Sequence, residues 1–437
     1  MNKREIATQI FLAGVERVKP QQVIHQLVEL TGEQLKVDKI TFNMRDYQSI
    51  YVVGAGKASA MMAQALEYIL GDRIKEGHII TKYGHSVSLS YIQQTEAGHP
   101  VPDEAGVRGT SKLLEIAKKA GHNDLVFCLL SGGGSALLAD VPENGTLSDL
   151  KILNEVLLKS GATIQEMNCI RKHLSKVKGG QLAKEIYPAS IVNLILSDVV
   201  GDPLDVIASG PTIADSSTFS DAITILKQYS IEDEIPTSIR THLTQGNEGK
   251  KPETPKENDR ELEKSFHLIV GNNLLALEAA AIKAEELGYC PQIITHTLEG
   301  DLITIGNQIF QESLEKLEQS GDTKVCLLYG GEPTVKVKGE GKGGRNQHLA
   351  LYVARLIKDQ KKLTFLSAGT DGSDGPTDAA GAVCDSSTVE HAKELGLNYT
   401  KHLGEFNAYP FFEREGGLIV TGPTQTNVMD LITVLIN

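Results

Sequence analysis

The chain has 437 residues, enough for two or more domains that fold without disulfide bonds. Hydrophobic residues make up 41% of the sequence and charged residues 23%, proportions that argue against a disordered protein and against a membrane protein. The formal net charge of −13 argues against nucleic-acid binding, because a phosphate backbone is held by clustered Lys and Arg. Any site for an anion must therefore be local.

The N-terminal segment 1–24 has apolar residues at helical spacing, with charges throughout and no uninterrupted apolar stretch. It is typical of neither a signal peptide nor a membrane span, so we expect a cytoplasmic protein with no membrane partner. The five cysteines are scattered, and most lie in apolar surroundings such as "LVFCLL", which predicts reduced thiols in a protein core. No pair has CxxC spacing, which argues against a zinc site built from thiolates.

The first half of the chain alternates apolar, β-branched runs with helical patterns. "SIYVVGAG" precedes a helix predicted over residues 57–70, and "GHIITKY", "DLVFCLLSGGG" and "ASIVNLILSDVVG" are further predicted strands. Strands that are apolar throughout and alternate with helices indicate a parallel sheet covered by helices on both faces. Residues 145–187 instead indicate successive helices. The predicted fold class is therefore α/β.

Residues 244–264 are polar, charged and marked by prolines, which predicts an exposed loop or linker. The α/β alternation then restarts with the predicted strand "FHLIVGNN". We therefore predict an N-terminal domain over residues 1–245, a charged linker over residues 246–264 and a second α/β domain over residues 265–437. The last residues of the second domain are free, in this interpretation, to pack back on the first.

Glycine-rich turns follow two of the predicted strands, at the edge of a parallel sheet where α/β proteins bind their ligands. The first turn, in "YVVGAGKASAMM", contains Gly54, Gly56 and Lys57. The second turn, in "FCLLSGGGSALL", contains Ser131, Gly132, Gly133, Gly134 and Ser135. Small residues allow backbone N–H groups and a helix N-terminus to approach an anion. Tight strand–helix packing with an exposed Lys stays an alternative for the first turn.

Neither turn matches a standard nucleotide fingerprint. A P-loop needs GxxxxGK[ST], but Tyr51 occupies the position of its first Gly and Ala58 follows the Lys. The dinucleotide pattern GxGxxG has Ser59 in place of its last Gly. The first turn alone therefore does not identify a nucleotide.

Two acidic segments follow other predicted strands. "LSDVVGDPLDVIASGPT" carries Asp198, Asp202 and Asp205, and "SAGTDGSDGPTDAAGAVCD" carries Asp371, Asp374, Asp378 and Asp385. Such carboxylates can coordinate Mg²⁺ or accept a proton from a hydroxyl group, and capping of turns and helices is the alternative. The spacing of the second segment does not match an EF-hand.

A third glycine cluster lies in "GGEPTVKVKGEGKGGRNQHLAL", where "TVKVKG" predicts a strand and "RNQHLALYVARLI" predicts a helix. Arg345 at the start of that helix could pair with a carboxylate or a phosphate, although the loop alone is better interpreted as a solvated hairpin. Taken together, glycine turns with Lys57 and Arg345 and Asp-rich strand ends fit transfer of a phosphoryl group, where positioning and electrostatics dominate.

Eight strings of the sequence resemble, in order, the signatures of one enzyme family. They are "VVGAGKAS", "GHPVPDEAG", "LLSGGGSALL", "MNCIRKHLSKVKGGQLA", "LSDVVGDPLDVIASGPT", "GGEPTVKVKGEGKGGRNQ", "SAGTDGSDGPTDAAGA" and "GPTQTNVMDL". The family is that of the glycerate 2-kinases that join a DUF4147 domain to a MOFRL domain. The resemblance implies a Rossmann-like first domain, a MOFRL-type second domain and an active site in the cleft between them. It also implies an ATP- and Mg²⁺-dependent kinase that converts D-glycerate to 2-phosphoglycerate.

The resemblance also implies a set of catalytic residues. An essential Lys and Arg of the family correspond to Lys57 and Arg345, and Asp198 is the candidate to orient or deprotonate the 2-hydroxyl group. Asp371 and Asp374 are the candidate metal ligands, with contact to the substrate as the alternative for Asp371, and the roles of Asp198 and Asp371 could be exchanged. Further candidates for contact with phosphate or substrate are the glycine-turn residues named above, Lys342 and Asn346. The expected partners are D-glycerate and ATP, and a homodimer stays open.

Two other functions compete with this interpretation. An NAD(P)H-dependent hydroxypyruvate reductase would use a related three-carbon acid, but the GxGxxG pattern is broken and Lys82 replaces the acidic residue expected after the second strand. A non-catalytic protein that binds sugar acids fits the two-domain plan, but it has no use for the acidic loops.

Overall fold

The computed structural model describes residues 2–437. The helices are, in chain order, α1 (Lys3–Arg17), α2 (Pro20–Leu27), α3 (Ser59–Leu70), α4 (Glu104–Ala117), α5 (Gly134–Leu137), α6 (Leu147–Ser160), α7 (Ile164–Lys172), α8 (Gln181–Ile186), α9 (Phe219–Gln228), α10 (Thr237–Asn247), α11 (Asn273–Glu286), α12 (Leu302–Ser320), α13 (Arg345–Leu356), α14 (Thr388–Glu394), α15 (Tyr399–Gly404) and α16 (Ala408–Glu415). The strands are β1 (Val28–Thr31), β2 (Gln34–Val37), β3 (Ile40–Asn43), β4 (Ser49–Ala55), β5 (Ile74–Lys82), β6 (Ile92–Ala97), β7 (Asp124–Ser131), β8 (Ser190–Leu196), β9 (Ser265–Gly271), β10 (Cys290–Asp301), β11 (Val325–Thr334), β12 (Leu363–Gly369), β13 (Gly381–Asp385), β14 (Leu418–Ile419) and β15 (Asp430–Ile436).

Over residues 2–437 the chain folds into two compact units. The N-terminal unit comprises Val23–Ser197 and Asp202–Val270. The C-terminal unit comprises the N-terminal residues up to Gln22, the short segment Asp198–Gly201 and the long segment Gly271–Asn437. The chain therefore crosses between the units more often than the predicted order of domain, linker and domain implies.

The main sheet of the N-terminal unit has, within the described residues, the strand order β6-β5-β4-β7-β8-β9. The pairs β5–β6, β4–β5, β4–β7 and β7–β8 are parallel, which confirms the α/β prediction. From β4 the chain moves outward through β5 and β6, and from β7 it moves the other way through β8. The switch point of a doubly wound sheet therefore lies between β4 and β7, and ligands of such sheets bind at the carboxyl ends of the strands there.

A helical layer stands beside this sheet in the N-terminal unit. Helices α6, α7, α9 and α10 share a buried apolar cluster that includes Leu153, Leu157, Ile170, Leu226 and Leu243. Capping boxes at Thr146, Thr163 and Thr218 begin α6, α7 and α9, because each hydroxyl accepts from a backbone N–H three residues on. The helices predicted over residues 145–187 are thus present.

Residues 246–264 are packed along the N-terminal unit. Thr254 is buried and its hydroxyl donates to Asp215 Oδ2 at 3.0 Å, while Lys256 Nζ donates to the Asp215 carbonyl at 3.0 Å. The segment that we predicted as an exposed linker is therefore fixed at its centre. Strand β9 follows it and adjoins β8, so the strand predicted to open the second domain instead completes the first sheet.

The sheet of the C-terminal unit has, over the described part of the chain, the order β10-β11-β15-β12-β13-β14. Strands β10 and β11 are parallel, whereas β15 is antiparallel to both β11 and β12. Every residue of β15 is buried, including its two polar residues, Asp430 and Thr433, in the otherwise apolar string "DLITVLI". The last residues thus form a central strand of the C-terminal unit.

Helix α1 belongs to the C-terminal unit because it packs there on α11 and carries Arg4. The Arg4 guanidinium donates to Asp385 at 2.7 Å and to Glu415 at 2.8 Å, and the Glu415 side chain is fully buried. The N-terminal helix is thereby tied to residues 381 and 411 positions away, which no local pattern could predict.

Two further expectations concern the membrane and the cysteines. Among residues 2–437, no helix combines the length and the apolar character needed to cross a membrane.

The cysteines of the described chain are free thiols, and all except Cys290 are buried. The prediction of core thiols therefore fails for Cys290.

Candidate active site

The first glycine turn joins β4 to α3 and is locked to the second turn. Gly56 has a φ of +144°, and a Cβ atom there would overlap Ser131 Oγ. The Lys57 N–H donates to the Gly132 carbonyl at 2.8 Å, and the Ala58 N–H donates to Ser131 Oγ at 3.0 Å. The two predicted glycine turns therefore meet at the switch point of the sheet.

Two residues that we predicted as phosphate contacts serve the sheet itself. Gly54 lies inside β4, where a Cβ atom would overlap the Leu129 carbonyl oxygen of the neighbouring strand. Ser131 is buried at the end of β7, and its hydroxyl accepts the hydrogen bond from Ala58. In this structure Gly54 therefore allows β4 to lie close to β7, and Ser131 holds the second turn against the first.

The second glycine turn leads into the short helix α5. Gly133 has a φ of +81°, and a Cβ atom there would lie 2.8 Å from the His99 ring and 3.5 Å from Lys57 Cγ. Ser135 shares a hydrogen bond with Ser209, with 2.8 Å between the hydroxyl oxygens. Gly133 thus lies between His99 and Lys57, where only a residue without a side chain fits.

Positive charge surrounds this turn. The pKa of His99 is lowered to about 4, chiefly by burial and then by the charges of Lys57, Lys82 and His85. His99 is therefore neutral near pH 7, so the lysines supply the positive charge. An anion placed at this edge of the sheet would be attracted in a protein that is acidic overall.

Sequence reasoning gave no role to His99, nor to two nearby cations, one half-buried and one buried. Arg171, at the end of α7, and Lys178 line a cavity that also touches His99 and Gly133. The available signal was the string "MNCIRKHLSKVKGG", in which basic residues interrupt an apolar helical pattern. The string is one of the eight that carry the family resemblance, but none of its residues was predicted to be a site residue.

In the C-terminal unit, Arg345 is the first residue of α13, as predicted. Its Nε and Nη2 donate to the two oxygens of Asp430 at 2.6 and 3.0 Å, and its Nη1 donates to Glu332 at 2.8 Å. Asp430 is buried, whereas 33% of the Arg345 side chain is exposed. These carboxylates use three of the five N–H donors of the guanidinium, so two stay available.

The glycine loop that precedes Arg345 is packed against residues 405–409. Strand β11 ends at Thr334, so the strand predicted over "TVKVKG" is wrong. A Cβ atom at Gly339 or Gly341 would overlap the Glu405 carbonyl oxygen. Lys342 Nζ lies 4.0 Å from the centre of the Tyr409 ring, which is the distance of a cation–π contact. The loop is therefore not a freely solvated hairpin.

Asp374 and Asn346 anchor the start of α13. The Asp374 oxygens accept from the backbone N–H groups of Asn346 at 3.1 Å and Gln347 at 2.8 Å. The Asn346 side chain accepts from Ser367 at 2.6 Å, and both Asn346 and Asp374 are buried. Burial raises the pKa of Asp374 to about 7, against the opposing effect of these N–H donors. The predicted metal ligand Asp374 thus caps a helix here, and the predicted phosphate contact Asn346 lies inside the unit.

Five of the other predicted carboxylates have partners as follows. These contacts are Asp198 with Asn427 at 3.1 Å, Asp205 with Lys172 at 3.6 Å, Asp371 with the Ser373 N–H at 3.0 Å, Asp378 with the Tyr409 hydroxyl at 2.7 Å, and Asp385 with Arg4 at 2.7 Å. Within residues 2–437 no group of three or more His, Cys, Asp or Glu side chains is arranged to hold a metal ion.

The predicted catalytic residues are divided between the units. Lys57 lies with the glycine turns in the N-terminal unit, whereas Arg345 and Asp371 lie in the C-terminal unit. Asp198 follows β8 in sequence and is grouped with the C-terminal unit, where it contacts Asn427. The convergence of Lys57 with Arg345 stays a prediction.

Comparisons with known proteins cover the whole chain. Residues 6–244 match the model described as domain of unknown function (DUF4147), and residues 325–430 match the MOFRL family. A protein from Pyrococcus horikoshii named glycerate 2-kinase is 42% identical, with 100% of this chain and 98% of that protein covered. A protein from Agrobacterium vitis named putative hydroxypyruvate reductase is 38% identical, with 100% of this chain and 95% of that protein covered.

A solved structure agrees with these matches. The crystal structure of a glycerate kinase from Thermotoga maritima has a TM-score of 0.88 and 39% identity, and the alignment covers 99% of both chains. An identity of 39% implies more than a shared fold, and the alignment includes both units of the chain. The chain therefore belongs to the family of glycerate kinases that joins a DUF4147 domain to a MOFRL domain.

Proposed function

We propose that this protein transfers the γ-phosphoryl group of ATP to the 2-hydroxyl group of D-glycerate and releases 2-phosphoglycerate and ADP. The observation that carries the proposal is the meeting of two glycine turns beside Lys57 at the switch point of a doubly wound sheet. The names of the relatives support the glycerate kinase class, and the 2-position of phosphorylation follows the names of two of them.

Lys57 is the residue that we propose to contact the phosphoryl group in transfer. It follows the carboxyl end of β4, and its side chain lies next to Gly133 of the second turn. Charge on the transferred group spreads over three oxygens, so a fixed cation there lowers the barrier without bond chemistry of its own. Backbone N–H groups of Gly133, Gly134 and Ser135 are the proposed contacts for the ATP phosphates.

The remaining steps are assigned to acidic and basic residues of the C-terminal unit. We propose that Asp198 accepts the proton of the 2-hydroxyl group as its oxygen bonds to phosphorus and the bond to ADP breaks. Arg345, held in place by Asp430, keeps two N–H donors for the substrate or the phosphoryl group. Mg²⁺ bound with ATP supplies charge neutralisation at the phosphates, and Asp371 is the carboxylate that we propose beside it.

A hydroxypyruvate reductase is the second candidate, because one relative carries that name and the strand order also suits a dinucleotide. Two features of the structure count against a reductase. Ser59, in place of the third fingerprint glycine, donates its hydroxyl to the carbonyls of Gly56 at 2.7 Å and Ile80 at 3.0 Å. Strand β5 ends at Lys82, where an acidic residue would bind the ribose of NAD.

One pair of assays separates the two candidates. The purified protein is incubated with D-glycerate, ATP and Mg²⁺, and the product is passed to enolase, which accepts 2-phosphoglycerate and not 3-phosphoglycerate. In parallel the protein is incubated with hydroxypyruvate and NADH or NADPH. We expect turnover in the enolase-coupled assay. Oxidation of NADH or NADPH by hydroxypyruvate without phosphorylation of glycerate would replace the proposal with the reductase.

A further inference from the structure

A cavity of about 220 Å³ lies within the N-terminal unit, beside the second glycine turn. His99, Gly133 and Ser135 line the cavity. The lining also includes the apolar residues Leu150 and Leu153 of α6 and the basic side chains of Arg171 and Lys178. Its volume is below the roughly 300–1,000 Å³ of pockets that hold drug-sized ligands, so it suits a small molecule better than a whole nucleotide.

Arg171 in the wall of this cavity has no carboxylate partner. Its Nε and Nη2 donate to one atom, Asn154 Oδ1, at 3.0 and 2.9 Å. The ion pairs found among residues 2–437 do not include Arg171. Three of its five N–H donors are left for another group. A half-buried guanidinium with an amide as its partner is costly, because a buried charge needs an opposite charge.

The neighbouring charges in the cavity cancel one another. Lys178 Nζ lies 3.6 Å from Asp140 and donates to the Leu138 carbonyl, and both charged side chains are almost fully buried. His99 is neutral near pH 7 because burial lowers its pKa to about 4. One uncompensated positive charge, on Arg171, therefore faces the cavity, and an anion with a single negative charge would balance it.

We infer that Arg171 binds the carboxylate of the hydroxy acid substrate in this cavity and so determines the specificity for acids over neutral polyols. The inference rests on the proposed function. A three-carbon acid held by its carboxylate carries the 2-hydroxyl group on the adjacent carbon. Since Gly133 borders both this cavity and Lys57, that hydroxyl group would be close to the proposed site of phosphoryl transfer.

A carboxylate fits these observations better than a phosphate of ATP. A nucleotide phosphate carries more than one negative charge with Mg²⁺ in attendance, whereas the cavity offers one uncompensated cation. The apolar wall of Leu150, Leu153 and Leu174 also suits a small carbon skeleton. A planar guanidinium with free N–H donors matches the two oxygens of a carboxylate.

Asn154→Asp is the sharpest test, because the side chains have the same shape and the new carboxylate would pair with Arg171. We expect KM for D-glycerate to rise at least about 30-fold, the loss typical when a buried charge pair is disrupted. KM for ATP should stay within about threefold of wild type, and Tm should hold or rise, since the fold gains an ion pair. Asn247→Asp, which adds the same charge at an exposed position of α10, is the control.

Arg171→Met tests the same contact from the other side. KM for D-glycerate should rise as for Asn154→Asp, and titration calorimetry of D-glycerate without ATP should show the same loss of affinity. Turnover of glyceramide, the neutral amide of glycerate, should be equal in Arg171→Met and wild type. Arg240→Met is the control, because Arg240 already contacts Asp233 at 2.6 Å on the surface.

The outcomes separate this inference from the proposed function. A wild-type enzyme that phosphorylates D-glycerate while Asn154→Asp leaves KM for D-glycerate unchanged would overturn the role of Arg171 and leave the kinase intact. A rise in KM for ATP alone would indicate that the cavity binds a phosphate of ATP, which would overturn the inference. Absence of glycerate phosphorylation in the wild type would refute the proposed function, and absence of D-glycerate binding by calorimetry would then refute this inference as well.

Discussion

Replacement of Lys57 by Met tests the proposed phosphoryl site most directly. Met keeps the apolar stem of the side chain and removes the charge next to Gly133. No ion pair of the described residues 2–437 uses Lys57, and its backbone N–H contact with Gly132 does not depend on the side chain. The free energy of unfolding should therefore change by no more than about 0.5 kcal/mol.

The expected loss of activity follows from the position of the charge. A cation about 4 Å from a developing negative charge contributes up to about 4 kcal/mol at an effective dielectric constant of about 20, which corresponds to about three decades in rate. Loss of a single fixed donor in other active sites lowers kcat by about 100- to 1,000-fold. We therefore expect kcat/KM for glycerate phosphorylation to fall by two to three orders of magnitude in Lys57→Met.

The enolase-coupled assay measures kcat/KM, and NMR titration of His99 checks the geometry independently. Removal of the Lys57 charge should raise the pKa of His99 from about 4, but not to its usual value, because burial is the larger cause of the lowering. Lys75→Met is the control. Lys75 lies near the start of β5, so it is at the amino ends of the parallel strands, whereas the glycine turns follow the carboxyl ends. Activity of Lys57→Met within about tenfold of Lys75→Met would refute the role of Lys57.

Three other changes test separate parts of the structure. Gly56→Ala should lower Tm and abolish phosphorylation, because its φ of +144° and the overlap with Ser131 cannot be accommodated, and a wild-type melting curve would contradict this. Arg345→Lys should lower kcat/KM by about 100-fold, since Lys cannot bind Asp430 bidentately, and unchanged enolase-coupled rates would remove Arg345 from the site. Burial lowers the pKa of His348 from 6.5 to about 4. The folded state therefore gains up to about 3 kcal/mol of stability above pH 6.5, and this stability is lost as the pH falls from 6.5 to about 4. His348→Phe should flatten the dependence of Tm on pH between 6.5 and about 4, and identical curves would contradict the assignment.

The parts of the fold that could be predicted are those with local signals. The apolar strands β4 and β7, the glycine turns after them and the start of α13 at Arg345 all follow from periodicity and composition. The position of α1 could not be predicted, because it depends on the contact of Arg4 with Asp385, 381 residues away. The same holds for β9, whose neighbour β8 ends about 70 residues earlier in the chain.

The candidate site was predictable in outline and not in detail. Sequence alone pointed to the two glycine turns, and the hydrogen bond from Lys57 to Gly132 shows that they meet. It could not distinguish a carboxylate that faces a ligand from one that caps a helix, since Asp374 and Asp371 lie in the same Asp–Gly string. The buried environment of Asp374 arises from its packing against residues 346 and 347, which is a tertiary contact.

Charge pairing explains how a protein with a net charge of −13 can still hold anions. Three other cations that are partly or fully buried have carboxylate partners: Arg4 contacts Asp385, Lys172 contacts Asp215, and Arg345 contacts Asp430. Such pairs offset the cost of burial within the protein and leave little attraction for a ligand. Lys57 and Arg171 lack that compensation, and both border Gly133 or its cavity. Net charge therefore says little about ligand charge in this protein, because the cations that matter are those without an internal carboxylate.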